Sequence, residues 1–220
     1  LPSLPFPRSI VTMPQLPTIP PLADDDIHVW CTPWPGGKGE THFAALVAAY
    51  AGPGAPDIVR GDQGKPRLPP PFDGLGFSWS HSGDVAVLAI GRGPAGFLLG
   101  VDVETERPRA RALELARRFF AADEAAWLES LPEDRRVAGF LALWTAKEAV
   151  LKAHGGGLSY GLHRAAFTLR GNQALPLVFD GDLGPADAWQ VRPLALGEGR
   201  RGAVAWRGGE RRVRVFTSSL

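Results

Sequence analysis

Apolar residues first gather past residue 26. The run Ile27 to Cys31, IHVWC, is short and continuous and predicts a strand. Glu40 to Ala51 is alanine-rich, suits a helix, and is stopped by Gly52, Pro53 and Gly54. A Gly/Pro-rich loop follows through Pro71. Three strand-like runs come next: Leu75 to Ser80, Asp84 to Ile90 and Phe97 to Glu104. Gly83 and the group Gly91, Gly93, Pro94 mark the turns between them. The polar stretch Thr105 to Arg111 contains Pro108 and reads as a link.

Beyond the link the period changes to that of a helix. Arg111 to Ser130 is amphipathic, with Leu113, Leu115, Ala116, Phe119 and Phe120 as expected core. Asp134 to Ala153 sets Val137, Phe140, Leu141, Trp144 and Leu151 on one apolar stripe. Gly155 to Gly157 ends that helix. From Ala165 the period falls to two, in FTLR, LPLVFD, WQVRP, AVAW and VRVF, which predicts an antiparallel meander packed on the helices. The expected organisation is a proline-rich, poorly ordered lead over 1–25, an N-terminal subdomain over 26–107 and a C-terminal subdomain over 108–220.

Composition changes this picture little. Of 220 residues 45% are hydrophobic and 21% charged, which suits a globular chain with a sizeable core. The formal net charge of +1 gives no bulk basic footprint for nucleic acid or a membrane surface. No apolar run approaches the ~18 residues of a membrane span, and the lead lacks a secretory layout. The single cysteine, Cys31, cannot form an internal disulfide and reads as core. A cytoplasmic setting fits these features.

Three constellations carry candidate chemistry. In Gly100-Val101-Asp102-Val103-Glu104, strand alternation points Asp102 and Glu104 to one face and the valines to the other. Two carboxylates on one face repel unless a cation lies between them, although a solvated strand end is the simpler reading of VDVE alone. Magnesium, with its preference for hard oxygen ligands, is the matching ion. In Trp144-Thr145-Ala146-Lys147-Glu148-Ala149-Val150-Leu151-Lys152, Glu148 and Lys152 are i, i+4 neighbours. They read either as a surface ion pair or as a third acid for the same ion beside a phosphate-binding lysine, with Lys147 as a second such lysine. In Phe77-Ser78-Trp79-Ser80-His81-Ser82-Gly83, with Gly64-Lys65-Pro66 upstream, hydroxyl, imidazole and amide groups meet at a turn and suit a phosphate. A serine-hydrolase reading lacks the G-x-S-x-G elbow, and a P-loop enzyme lacks its G-x-x-x-x-G-K-[ST] loop.

The pieces GKPRL, FSWSHSG, GVDVE, RFFAADEAAWL and WTAKEAVLKAHGGGLSYGL occur in that order between Gly64 and Leu162. Together they resemble the motif series of the Sfp-type 4′-phosphopantetheinyl transferases. The resemblance implies an α/β (α+β) fold: a monomeric pseudo-dimer of two similar subdomains, each a small mainly antiparallel sheet packed with helices, with coenzyme A in the cleft between. It implies magnesium, or manganese, on Asp102, Glu104 and Glu148. Lys147 and Lys152 match lysines of the last motif, the latter near the phosphates. Lys65, Ser80 and His81 match positions that hold the phosphates, including the 3′-phosphate. Members of the family often carry a basic N-terminal helix that grips the 3′-phosphate, and the stretch corresponding to it here is Lys38 to Tyr50. Lys38 and His42 are its only cations, and Arg60 and Arg67 are substitutes.

The implied activity is holo-[acyl-carrier-protein] synthase chemistry. Phosphopantetheine passes from coenzyme A to a serine of an apo acyl or peptidyl carrier protein, in fatty-acid, polyketide or peptide biosynthesis, and 3′,5′-ADP leaves. In that picture Asp102, Glu148 and Lys152 are catalytic, with Glu148 as base, directly or through a water, and Lys152 facing the leaving phosphate. The acidic carrier is expected to dock on the Arg111 to Ser130 helix through Arg111, Arg117, Arg118, Phe119 and Phe120. A coenzyme A-binding module without catalysis is the alternative.

Overall fold

The computed structural model describes residues 18–61, 63–170 and 173–218. Most of the expected proline-rich lead therefore lies outside the described residues. Four layers stack in the order helix, sheet, sheet, helix. The first sheet has the order β11-β1-β5-β4, from Arg212–Thr217, Asp26–Pro33, Val85–Arg92 and Leu75–Ser82. The second has the order β6-β10-β9, from Leu99–Thr105, Arg200–Arg207 and Trp189–Pro193. Two small hairpins complete the strands: β2 (Val59–Arg60) with β3 (Pro66–Arg67), and β7 (Ala165–Arg170) with β8 (Gln173–Phe179).

Alternation along each strand builds the layers. Phe77, Ala86, Leu88 and Ile90 face helix α1 (Gly39–Ala51), where they meet Phe43, Leu46, Val47 and Tyr50. Ile27, Val29, Val85 and Val87 face the other way, onto Leu99, Val101, Val103, Val204 and Trp206 of the second sheet. The far side of that sheet carries α4 (Glu133–His154), covered in turn by α2 (Ala112–Phe119) and α3 (Ala122–Ser130). Helix α4 is buried nearly all round from Phe140 to Ala153, as a helix between a sheet and other helices must be. Gly155 ends it in the left-handed region at φ 105°. Among the described residues, no helix is long and apolar enough to cross a membrane.

The architecture is the expected mixture of helices and small, mainly antiparallel sheets. Two expectations are corrected. The helix expected over Arg111 to Ser130 is two helices, because Phe120 and Ala121 are extended. Phe120 turns inward to stack on Phe140 at 5.3 Å, and Glu124 accepts the Ala121 N–H at 2.8 Å to start the next helix. The C-terminal strands do not form one meander. β9 and β10 join β6, while β11 crosses to pair parallel with β1. Buried Asp26 draws it there, with Arg212 at 2.9 Å and Arg214 at 3.4 Å.

One contact sets the distance between the second sheet and α4. A Cβ added at Gly100 would lie 2.0 Å from the Ala149 carbonyl oxygen and 2.5 Å from the Ala153 nitrogen. Both obstacles are helix backbone, which cannot turn aside as a side chain can. Gly100→Ala is expected to destabilise the chain by about 3 kcal/mol or more, beyond ordinary overpacking, as measured by urea denaturation. A midpoint equal to that of the wild type would show that strand and helix are not in this contact.

Candidate active site

The Gly100 contact places one face of α4 against Asp102. The residues 148 and 152 that flank Ala149 on that face are Glu148, 6% exposed, and Lys152. Lys152 Nζ donates to Asp102 Oδ1 at 2.7 Å and to Ser80 Oγ at 2.8 Å, and Ser80 Oγ donates to the same Asp102 oxygen at 2.7 Å. Sheet edge, strand tip and helix thus close one triangle of polar contacts.

Three serines at period two line the seam between the sheets. Ser78, Ser80 and Ser82 of β4 turn away from α1 and toward the free edge of β6. Ser78 Oγ accepts the Val101 N–H at 3.2 Å, Ser80 reaches Asp102, and Ser82 Oγ donates to Glu104 Oε2 at 3.0 Å. Ser82 Oγ also accepts the Thr105 N–H at 3.0 Å. Side-chain hydroxyls therefore satisfy an edge that no strand pairs.

The electrostatics of the three acids differ. Asp102 is neutralised on one oxygen by Lys152. Its Oδ2 and Glu148 Oε1 are buried with no hydrogen-bond partner among the described residues. Burial, reinforced by the charge of Asp102, pushes the Glu148 carboxyl up to about 7. Glu104 is turned elsewhere, with Oε2 lying 2.6 Å from Arg109 Nη2.

Among the described residues, no group of three or more Asp, Glu, His or Cys side chains is gathered as a ready ion site. Two orphaned carboxylate oxygens remain, and magnesium commonly takes only one or two carboxylates beside phosphate oxygens and water. Asp102 and Glu148 thus fit such an ion, and Glu104 is held apart by Arg109.

The remaining expected site residues divide. A crevice of about 190 Å³ beside the triangle is lined by Lys65, Ser78, Trp79, Lys152, Gly155 and Gly157. Lys65 Nζ donates to the Leu99 carbonyl at 3.2 Å and to that of Ala153, so it caps the end of α4, and burial draws it down to about 8. His81 is exposed and stacks on Trp34 at 4.2 Å, and His42 meets the same indole edge-on at 5.4 Å. Arg60 pairs with Glu40 at 2.8 Å and with the Gly64 carbonyl at 2.9 Å, outside the triangle.

Lys147, unlike Lys65, is an expected phosphate ligand that does not line the crevice. It is fully buried, 2.7 Å from Glu124, and donates to the carbonyls of Leu162 and Ala165. All three of its donors are thus occupied, on a side of α4 ~100° from Glu148. Three further residues shape the site beyond the expected ones: Glu124, Ser82 and Arg109. The period-two serines were a legible signal for Ser82. Glu124 lies inside a quoted motif but looks there like one more helix acid, and a long side chain on an irregular loop gives no signal for Arg109.

Comparison with known proteins settles the family. The sequence model of the 4′-phosphopantetheinyl transferase superfamily matches residues 98–205, the segment that carries β6, α4 and β10. A Synechocystis protein named "Putative 4′-phosphopantetheinyl transferase slr0495" is 38% identical over 169 residues, 73% of this chain and 62% of that protein. Residues 98–205 of the chain belong to the 4′-phosphopantetheinyl transferase superfamily. The transferase AcpT of Escherichia coli is 39% identical over 102 residues, covering 46% of this chain and 50% of AcpT. The transferase psf-1 of Bacillus pumilus is 45% identical over 94 residues, covering 43% of this chain and 37% of psf-1. The match therefore spans less than two thirds of the length of each of these relatives. The family resemblance drawn from the motifs is borne out.

The Glu148 carboxyl makes stability depend on pH. In the fold it keeps its proton up to about pH 7, against an ordinary value of 4.5. Between those values the native chain binds more protons than the unfolded one. The contribution of this group is therefore fully present below its unfolded value and is lost as pH rises through about 7. Glu148→Gln stays neutral throughout. It is expected to equal the wild type near pH 4 and to exceed it by on the order of 2–3 kcal/mol at pH 8, by denaturant melts across that range. A constant difference would mean an unshifted carboxyl.

Proposed function

We propose that this chain transfers 4′-phosphopantetheine from coenzyme A to a serine of an apo acyl or peptidyl carrier protein, releasing 3′,5′-ADP. The observation that carries the reading is the triangle of Ser80, Asp102 and Lys152 beside a buried, partnerless Glu148 carboxyl. Relatives named for this activity support it. The site is read as the cleft between the proposed subdomains, 26–107 and 108–220, of a cytoplasmic monomer.

In this reading the diphosphate of coenzyme A lies along the crevice between Lys65 and Gly155. Lys152 donates to the phosphate that becomes the leaving group, Ser80 holds Lys152 and Asp102 in place, and His81 offers an imidazole at the exposed end of the same strand. Asp102 and Glu148, with Glu104 once it leaves Arg109, would hold magnesium or manganese, which would supply charge neutralisation to the diphosphate. The acceptor serine Oγ forms a bond to the phosphorus that carries pantetheine, and the bond from that phosphorus to the bridging oxygen of 3′,5′-ADP breaks. The serine proton goes to Glu148. A positioned carboxylate beside the reacting centre is the group that can take that proton, directly or through a water. Lys147 has no contact role here, because its donors are all taken.

The acceptor is placed on α2. Arg117 is tied to Glu129 at 2.6 Å and Arg111 to Glu114, whereas Arg118 rests its guanidinium on Phe119 at 5.0 Å and presents charge outward. Phe120 belongs to the core and leaves the docking surface.

Incubation with coenzyme A, magnesium and apo carrier proteins is expected to add one phosphopantetheine mass to the carrier. No mass gain with any carrier, despite coenzyme A binding, would favour the non-catalytic module. Glu148→Gln is expected to bind coenzyme A while losing at least about 100-fold in kcat, the scale of a general base. Undiminished turnover would remove Glu148 from the chemistry. Arg118→Glu is expected to raise the acceptor KM about three- to tenfold with coenzyme A binding unchanged, and an unaltered KM would move the docking surface elsewhere.

A further inference from the structure

We propose that Arg109 is a positioning residue that competes with the divalent ion for Glu104 and so sets the affinity of the site for metal. This inference rests on the metal reading above and adds to it a residue that the family motifs do not contain.

Glu104 has two donors on one oxygen, Arg109 Nη2 at 2.6 Å and Ser82 Oγ at 3.0 Å. Asp102 Oδ2 and Glu148 Oε1, each on a side chain more than nine-tenths buried, have none among the described residues. The two orphaned oxygens are thus free to take an ion, while the third acid is already engaged by a cation of the chain. A carboxylate oxygen that accepts a guanidinium at 2.6 Å cannot also hold a dication at ~2.1 Å without placing two positive charges side by side. That oxygen therefore serves one or the other, and the nearby guanidinium charge also weakens the pull of the second Glu104 oxygen on an ion.

The geometry singles out Arg109 among its neighbours. Arg201 stands opposite Glu104 in the β6–β10 register, yet pairs with Glu106 at 3.2 Å. Arg111 is clamped on Glu114 by two hydrogen bonds of 2.9 and 2.6 Å. Arg107 approaches Gly83 and Thr105 rather than the carboxylate. Arg109 alone of these reaches back from the loop between β6 and α2, and its pair with Glu104 is partly shielded, at 28% and 20% side-chain exposure. The same loop leads into α2, where the acceptor is proposed to dock. A carboxylate of the acceptor that draws Arg109 away would release Glu104 to the ion, so that docking and completion of the metal site favour each other.

The test is the affinity of the full chain for Mn²⁺ alone, read from the electron paramagnetic resonance signal of free Mn²⁺, with circular dichroism melts to confirm folding. Arg109→Ala is expected to bind Mn²⁺ roughly three- to tenfold more tightly than wild type, the scale of a partly shielded ion pair, and Arg109→Lys to fall between. Arg107→Ala, on the same loop, is expected to match wild type. With Glu104→Gln in the background, the effect of Arg109→Ala should vanish. Equal Mn²⁺ affinity in wild type and Arg109→Ala, or weaker binding in the variant, would overturn the role of Arg109 and leave the metal reading standing. Binding by neither protein would overturn both.

Discussion

Everything chemical in this molecule depends on how closely α4 approaches β6. A glycine at position 100 lets the helix backbone at Ala149 and Ala153 occupy the space of a side chain. Only at that separation does Lys152 reach Asp102 and Ser80 with short hydrogen bonds. A strand and a helix with ordinary side chains between them would stand apart by the thickness of those side chains, near 10 Å between axes. The polar groups would then face one another across water. The lost Cβ thus converts a packing contact into an electrostatic one, and the acids of the strand and the helix come to share one buried space.

That sharing has a cost, which the fold distributes. Two carboxylates and a third nearby cannot all be ionised away from water without cations between them. Lys152 neutralises Asp102, Arg109 neutralises Glu104, and Glu148 is left with burial and the charge of Asp102, which together raise its affinity for a proton. A partnerless oxygen on each of Asp102 and Glu148 is an unfavourable feature in a stable core. Such features concentrate where a ligand provides the missing partner, and the rest of the structure supports the strain. The serine seam along β4, and the inter-sheet core of Ile27, Val29, Val101 and Val204 beneath it, hold the acids in place.

Much of this was legible in the sequence because it follows from local periodicity. The alternation in GVDVE correctly divided the valines from the acids, and the i, i+4 spacing placed Glu148 and Lys152 together. Strands β1, β4, β5 and β6 and helices α1 and α4 also lay where their patterns put them. What periodicity cannot carry is partner choice across the chain. Nothing in VRVF announces that β11 leaves its neighbours for β1, since the deciding group, Asp26, lies 186 positions away from Arg212. The break between α2 and α3 was hidden for a related reason. Phe120 and Glu124 fit a helical pattern, and only their tertiary partners, Phe140 and the Phe167 N–H, require the chain to turn there.

Lys147 and Glu148 show how one helix separates support from chemistry. They are adjacent in sequence and point ~100° apart. Lys147 looks away from the second sheet, and its ammonium is bound by Glu124 on α3 and by two carbonyls of the segment leading into β7. Glu124 in turn accepts the N–H groups of Ala121 and Phe167. This buried pair is fully satisfied, the condition under which burying charge does not destabilise. It fixes the rotation of α4 about its own axis, just as Gly100 fixes the distance of α4 from the sheet. Distance and rotation together determine where a helix side chain ends. The Glu148 carboxyl can therefore stay unsatisfied and raised in pKa because its neighbour is satisfied and immobile. A lysine next to a glutamate proposed as catalytic reads in one dimension as a second active-site cation, and in three dimensions it is the pivot that holds the glutamate in place.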